Sequence, residues 1–116
     1  MPRTFKTVAV RAARAADGKK AEEVVVLDVR KTSPLVDYLV IATALSRPHL
    51  EALERQVEED LLGEGLGLCR RARPQSDQWR VLDFGGLMVH LMTAEARQLY
   101  GLEKLNDAAK EISWRN

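Results

Sequence analysis

The hydrophobic residues of this chain recur at two spacings, and the spacing separates predicted helices from predicted strands. At the N-terminus they repeat every three or four positions, so we expect an amphipathic helix over residues 4–16 with Thr4 as its N-cap. The same spacing returns after Ser46 and ends at a glycine-rich stretch, which predicts a second, longer helix. A third helix is predicted from Thr93 through Leu105.

Strands are predicted where apolar residues are consecutive or alternate. Residues 24–29 and 38–43 are β-branched runs with apolar residues on both faces, which is typical of interior strands. The link between them is too short for a crossover helix, so we expect antiparallel neighbours. Residues 68–73 predict a short strand, and its alternating arginines and the following Pro74 favour a sheet edge.

A hairpin is predicted around Gly85-Gly86, because glycine accepts the positive φ that two-residue turns need. The register that follows pairs Phe84 with Leu87, Asp83 with Met88, Val81 with His90 and Trp79 with Met92. One face of the hairpin is then apolar and carries Leu82, Phe84, Leu87, Val89 and Leu91. The other, which we call the mixed face, carries Trp79, Val81, Asp83, Met88, His90 and Met92.

These elements predict an α+β fold, a mixed five-stranded sheet with helices packed on it. A chain of 116 residues is expected to form one domain, with a core at about residues 5–105 and a loosely held tail at about residues 106–116. There is no run of 18 or more apolar residues and no secretory signal, so we expect a cytoplasmic protein without a membrane partner. The lone Cys69 is expected to be a small buried strand residue, and no cysteine or histidine lies at metal-ligand spacing from it.

The net charge of +1 conceals three charged stretches. Residues 1–20 hold six Lys or Arg, residues 51–64 hold six acids, and residues 70–80 hold four Arg. We expect these patches to face different neighbours. Basic residues can contact RNA phosphates, yet a solvated charged surface is the favoured interpretation of the N-terminal cluster, and the sequence leaves RNA contact by Arg70, Arg71 and Arg73 open.

Two interpretations of the mixed face are open from the pattern alone. An aromatic residue, two methionines, a histidine and an acid have the composition of a protein-binding surface. The alternative is a second core layer covered by the last helix. His90 is predicted to be a hydrogen-bonded structural histidine and not a catalytic base, because no nucleophile or paired carboxylate is fixed beside it.

Three sequence blocks connect these elements to a known family. They are Asp37-Tyr38-Leu39-Val40-Ile41-Ala42-Thr43 with Ser46 and His49, then Trp79 to His90 containing Asp83-Phe84-Gly85, and then Leu99-Tyr100-Gly101-Leu102-Glu103. In this order and spacing, over roughly residues 5 to 105, they resemble the ribosomal silencing factor family, RsfS, also called Iojap-like. The resemblance implies a nucleotidyltransferase-like fold without its catalytic motif, and a homodimer.

The resemblance also implies a function. Members of the family bind the large ribosomal subunit through its fourteenth protein and block association with the small subunit, repressing translation under nutrient limitation. A role in large-subunit assembly is the alternative. Partner binding is implied for the matching positions Trp79, Asp83, His90, Tyr100, Leu102 and Glu103, to which Met88 and Met92 are added from the mixed face. Asp37, Tyr38, Ser46 and His49 are further motif positions.

An enzyme of nucleotidyltransferase type is the competing class of function. Its phosphate-binding Gly-Ser turn corresponds here to Ala44-Leu45-Ser46, whose side chains hinder close approach of phosphate to the backbone. No D-x-D or D-x-E pair follows on the next strand, so two-metal chemistry, a catalytic site and a cofactor are not expected. The chain departs from the family pattern at Gly86, where an acid is usual, and at Asn106, where a tryptophan is usual.

Overall fold

Six strands form one mixed sheet in this protein. The structure is a computed structural model that describes residues 4–105 and 107–115, without the side chains of residues 72–75 and 105. The strands are β1 (Glu22–Asp28), β2 (Tyr38–Ala44), β3 (Arg70–Gln75), β4 (Trp79–Asp83), β5 (Leu87–Thr93) and β6 (Lys110–Ile112). The helices are α1 (Phe5–Gly18), α2 (Arg47–Gly63), α3 (Ala94–Tyr100) and α4 (Leu102–Leu105).

The strands lie in the order β3-β4-β5-β2-β1-β6, and only β2 and β5 run parallel to each other. The predicted α+β class, the mixed sheet and the antiparallel pairing of β1 with β2 are confirmed. The predicted count of five strands is wrong. Its sixth member, β6, has only three residues, two of them charged and exposed, so no apolar period marks it in the sequence.

The larger core lies between the sheet and the two long helices, α1 and α2. Four alanines of α1 are fully buried, namely Ala9, Ala12, Ala13 and Ala16. Their small side chains let the helix backbone come close to β2 and to α2. Thr4 caps α1, because its hydroxyl accepts a hydrogen bond from the Thr7 amide at 3.1 Å, as predicted.

The predicted register of the β4–β5 hairpin is confirmed. Trp79 opposes Met92, Val81 opposes His90, and Asp83 opposes Met88. The turn follows from glycine chemistry, since Gly85 has a φ of +95°. All five residues predicted for the apolar face lie in the core beneath α1 and α2.

Gly86 occupies a position where a side chain has no room. A Cβ atom at Gly86 would lie 2.5 Å from Cδ2 of Phe5, the first residue of α1. We therefore expect Gly86→Asp, which restores the family's usual acid, to lower the free energy of unfolding by about 1–3 kcal/mol through overpacking. Urea unfolding of the purified variant measures this.

Two further variants test whether Phe5 causes this loss. Gly67→Asp is the matched control, because the nearest atom to a Cβ there lies 4.0 Å away. In the double variant Phe5→Ala/Gly86→Asp the effects should be less than additive, because the colliding ring is gone. Strictly additive losses would show that the contact with Phe5 is not what excludes a side chain at Gly86.

The C-terminal segment is attached to the sheet, so the prediction of a loosely held tail is wrong for residues 110–114. β6 pairs with β1, and Trp114 is buried in the larger core. The Trp114 indole donates a hydrogen bond to the Val24 carbonyl at 3.0 Å, and its own carbonyl accepts one from Arg14 Nε at 2.9 Å. These partners lie 90 and 100 positions away, which no local pattern reveals.

The strand after α2 also differs from its prediction. It covers Arg70–Gln75 instead of residues 68–73, and Cys69 precedes it. Cys69 is exposed, so the prediction of a buried cysteine is wrong. The physical reason is its place beside the outermost strand of the sheet, where one lateral side has no neighbouring strand to cover it.

Candidate partner-binding surface

The mixed face of the hairpin lies on the side of the sheet opposite α1 and α2. A second apolar cluster lies there, formed by Leu27, Val29, Val36, Leu39, Ile41, Met92 and Ala96. Val81, His90 and Met92 are buried, whereas Trp79, Asp83 and Met88 are half-buried. This face is therefore a core layer in part, and only its half-buried residues are accessible to a partner.

Met92 requires a correction. The sequence placed it among the partner-binding residues, but its side chain is fully buried beneath α3. A residue without accessible surface cannot touch a docked protein. We therefore reassign Met92 to the core.

Two stacked aromatic rings form the accessible rim. The centroids of Trp79 and Tyr100 lie 4.6 Å apart, at an angle of 41°. Tyr100 is 51% exposed and Leu99, its neighbour in α3, is 76% exposed. We call Trp79, Leu99 and Tyr100 the aromatic patch. An exposed aromatic ring packed against an ordered indole is typical of protein-binding anchors.

His90 holds the indole from below. The Trp79 Nε1–H group donates a hydrogen bond to His90 Nδ1 at 3.0 Å, and the ring centroids lie 5.8 Å apart. Burial lowers the pKa of His90 from 6.5 to about 4, because the charged ring would lose its hydration. At neutral pH His90 is therefore an uncharged acceptor. It positions Trp79, which agrees with the predicted structural role.

The predicted last helix is two helices joined at Gly101. Gly101 adopts a left-handed conformation, with a φ of +56°, and ends α3 before α4 begins. The chain reverses there and carries Glu103 back towards α3. The Glu103 carboxylate accepts a hydrogen bond from Arg97 Nε at 2.9 Å.

Arg97 is a buried cation that the sequence analysis missed. Besides Glu103, its guanidinium binds the Thr43 hydroxyl at the end of β2, at 2.8 Å. The hydrogen bond from Arg97 to Glu103, together with the ion pair between them, lowers the pKa of Glu103. Arg97 thus joins α3, α4 and the sheet beneath the aromatic patch. No local signal in the sequence marks Arg97, because only the packing of α3 on the sheet shows that it is buried.

Removing the partner of this cation should be costly. We expect Glu103→Ala to lower the free energy of unfolding by about 1–3 kcal/mol, because Arg97 stays buried without a counter-ion while Glu103 itself is partly hydrated. Arg97→Met is the comparison, because it replaces the charge by an apolar side chain of similar length. Thermal unfolding measures both. If Arg97→Met costs more than Glu103→Ala, then packing rather than charge dominates this site.

Asp83 is occupied by the hairpin itself. One carboxylate oxygen accepts from the Gly85 amide at 2.9 Å, and the other accepts from Arg70 Nε at 3.1 Å. Its predicted role in partner binding is therefore combined with a structural one. It holds the turn and places the Arg70 guanidinium at the same edge.

The chain is similar to known proteins over most of its length. The family model described as "Ribosomal silencing factor during starvation" matches residues 2–116. The chain belongs to the ribosomal silencing factor family, RsfS. It is 39% identical over 94 residues to "Ribosomal silencing factor RsfS" of Treponema pallidum, covering 74% of this chain and 78% of that protein.

A mouse protein and a solved bacterial structure are also similar to this chain. It is 30% identical over 90 residues to the Mus musculus protein "Mitochondrial assembly of ribosomal large subunit protein 1", covering 75% of this chain and 40% of that one. Its fold is similar to the crystal structure of a Chromobacterium violaceum protein, with a TM-score of 0.83 at 25% identity. That match covers 89% of this chain and 86% of the other.

The remaining RsfS motif positions are mostly structural. Tyr38 is buried in the larger core, and Ser46 caps α2 by accepting a hydrogen bond from the His49 amide at 3.2 Å. The His49 ring bridges two elements, because Nδ1 accepts from the Leu45 amide at 2.8 Å and Nε2 lies 2.7 Å from the Lys19 carbonyl. Asp37 and Ser46 are exposed, and Asp37 lies beside the hairpin turn.

The sequence predicted that the oppositely charged stretches face different neighbours. That prediction is wrong for the acidic stretch of α2 and the arginines after it, because they pair with each other. Glu54 is buried and accepts hydrogen bonds from Arg71 at 2.9 Å and from Arg80 at 2.8 Å. Arg71 also binds Glu58, and Arg70 binds Asp83. β3 and β4 follow α2 in the chain and pack near it, so the opposite charges meet. The Arg73 side chain lies outside the described residues.

The turn that would bind phosphate in a nucleotidyltransferase is closed by the chain itself. In Ala44-Leu45-Ser46, the Leu45 amide donates to His49 and the Ser46 hydroxyl caps α2, so both groups are engaged. Over residues 4–105 and 107–115, no group of three or more His, Cys, Asp or Glu side chains is arranged to hold a metal ion. In the same part of the chain, no helix has the length and apolarity needed to cross a membrane.

Proposed function

We propose that this protein binds the large ribosomal subunit through the subunit's fourteenth protein and sterically blocks association with the small subunit, repressing translation under nutrient limitation. Membership of the ribosomal silencing factor family supports a regulatory, non-enzymatic role. The observation that carries the choice of surface is the aromatic patch. It stands on an ordered support and remains accessible on the sheet face opposite α1 and α2.

The patch has the physical properties of an interface centre. Trp79 is held on two sides, by the Tyr100 ring and by the hydrogen bond to His90, so little side-chain freedom is lost on binding. Aromatic anchors of this kind contribute much of the affinity in protein interfaces. Glu103, whose carboxylate is about half exposed, supplies a polar group at the rim.

The proposed contact set divides into two roles. The residues that retain accessible surface and would touch the partner are Trp79, Met88, Leu99, Tyr100, Leu102 and Glu103. His90, Arg97 and Asp83 would position these groups from beneath and from the hairpin turn. We also propose a homodimer and a cytoplasmic location, in line with the family resemblance.

A ribosome-assembly role is the second candidate function. The printed name of the mouse relative, which includes the assembly of the ribosomal large subunit, favours it. The same surface would bind the same subunit in either role. The two roles differ in when binding matters, and therefore in the defect that follows from loss of the protein.

Sedimentation with purified ribosomal subunits tests the proposal. The protein should co-sediment with free large subunits and not with small ones, and preincubation should lower the yield of joined ribosomes. Leu99→Ser should weaken co-sedimentation. Leu62→Ser is the matched control, because Leu62 is a similarly exposed leucine at the end of α2, across the sheet. Equal loss in both variants would show that the aromatic patch is not the docking surface.

Cells that lack the protein separate silencing from assembly. If it silences, they should continue to translate during starvation. If it assembles, they should accumulate immature large subunits during growth. Gradient profiles of both cultures distinguish these outcomes.

A further inference from the structure

The outer surface of α1 is basic. Five exposed cations lie on α1 or on the two residues that follow it. We call them the α1 basic face: Lys6, Arg11, Arg14, Lys19 and Lys20. Asp17 is the one acid in that stretch. α1 and α2 cover the sheet face opposite the aromatic patch. The α1 basic face is thus separate from the proposed protein-binding surface.

These cations differ from most arginines elsewhere in the chain. Lys6, Arg11, Lys19 and Lys20 have no carboxylate within 4.0 Å among the described residues. By contrast, an acidic partner is present for Arg30, Arg47, Arg70, Arg71, Arg80 and Arg97. Of the arginines that the sequence pattern offered for RNA contact, Arg70 and Arg71 are therefore neutralised internally. The charges of Lys6, Arg11, Lys19 and Lys20 remain available to a ligand.

A trough runs along this face. Two adjoining depressions, of about 390 Å³ and about 320 Å³, share Arg11 and Arg14 as lining residues. On the α2 side they are lined by Asp60, whose carboxylate accepts a hydrogen bond from Gln56, and by Glu64. The cations thus outnumber the acids that face them, and Arg14 is fixed in place by its bond to the Trp114 carbonyl.

The cations of α1 extend over a length that fits a polyanion and exceeds the size of a single small anion. With a rise of 1.5 Å per residue, the cations from Lys6 to Lys19 span about 20 Å. A nucleic-acid strand places phosphates every few ångströms over that distance, so several cations can be contacted at once. Binding would then release counter-ions and depend steeply on salt.

We propose that the α1 basic face binds the phosphate backbone of RNA, without reading its sequence. This inference rests on the proposed function, because docking on a ribosomal subunit brings the protein next to RNA. It assigns the two contacts to opposite sides of the sheet, protein on the aromatic patch and RNA on α1.

Fluorescence anisotropy with a labelled RNA hairpin of about 20 base pairs tests this, over a range of about 50 to about 300 mM salt. The wild-type protein should bind with an affinity that falls linearly on a double-logarithmic salt plot. Lys6→Gln/Arg11→Gln should reduce that slope by about 2, one per lost cation, and weaken binding about tenfold or more at low salt. Both residues are on the surface of α1, so the melting temperature should stay unchanged.

The matched control is Lys31→Gln/Lys110→Gln. It removes the same charge from exposed positions at the β1–β6 end of the molecule. It should change the slope little. An equal change in both double variants would show that net charge alone attracts RNA and would overturn the assignment to α1. Equally tight binding of poly-glutamate would overturn RNA in favour of an acidic protein.

The outcome is separable from that of the proposed function. If no salt-dependent RNA binding is seen while the aromatic patch still controls co-sedimentation with large subunits, then this inference fails and the proposed function stands. If RNA binding depends on Lys6 and Arg11 while Leu99→Ser leaves co-sedimentation unchanged, the reverse holds.

Discussion

Trp79→Ala should weaken binding to large ribosomal subunits by at least about 2 kcal/mol, or about 30-fold in Kd. The substitution removes the indole that stacks on Tyr100 and bonds to His90, so both the anchor and the order of its neighbour are lost. A binding titration with purified subunits, corrected for the folded fraction of the variant, measures the effect.

Leu82→Ala is the control for folding, because Leu82 lies on the same strand but points into the opposite core. It is fully buried, so its truncation should lower the free energy of unfolding by about 2–5 kcal/mol and leave the affinity of the folded molecules unchanged. The proposed site is misplaced if Trp79→Ala unfolds the domain as severely while its folded fraction binds normally. Trp79 would then belong to the core alone.

Acid should destabilise the protein through His90 by about 3 kcal/mol between pH 7 and pH 4. The pKa of His90 is lowered from 6.5 to about 4 in the folded state by burial. Between these two pKa values, His90 is therefore protonated in the unfolded chain and uncharged in the folded chain. Stability from this group is fully present above about pH 6.5 and is lost as the pH falls towards about 4.

His90→Asn isolates this effect from the titration of carboxylates. The amide oxygen of asparagine can accept the hydrogen bond from Trp79 but does not titrate. The wild-type protein should lose about 3 kcal/mol more than the variant in urea unfolding between pH 7 and pH 4. Trp79→Phe should keep most of the pH dependence, since burial and not the indole causes the shift. Identical pH profiles of wild type and His90→Asn would contradict the assignment.

Local patterns were sufficient wherever structure depends on neighbours in the chain. The glycine pair predicted the hairpin register because a two-residue turn leaves one pairing of the strands. The apolar spacing predicted α1 and its Thr4 cap in the same way. The motif blocks also placed Trp79 and Tyr100 near one surface, and the rings are indeed stacked.

Prediction failed where a residue depends on a distant partner. β6 is short and polar, and pairing with β1 is what makes it a strand. Trp114 lay outside the matched motifs, yet it closes the core by bonding to Val24. Arg97 is recognisable only once Thr43 and Glu103 are beside it.

The sequence by itself determined the fold class, the family and the division of the hairpin into an apolar face and a mixed face. It did so because periodicity, turn chemistry and motif spacing are local properties. The tertiary structure decided which charges are available, since arginines 71 and 80 are neutralised by Glu54 while Lys6 and Arg11 of α1 have no carboxylate within 4.0 Å among the described residues. It also divided the mixed face into buried Met92 and half-buried Trp79. Burial and ion pairing depend on which distant elements pack together, and no single segment of the chain contains that information.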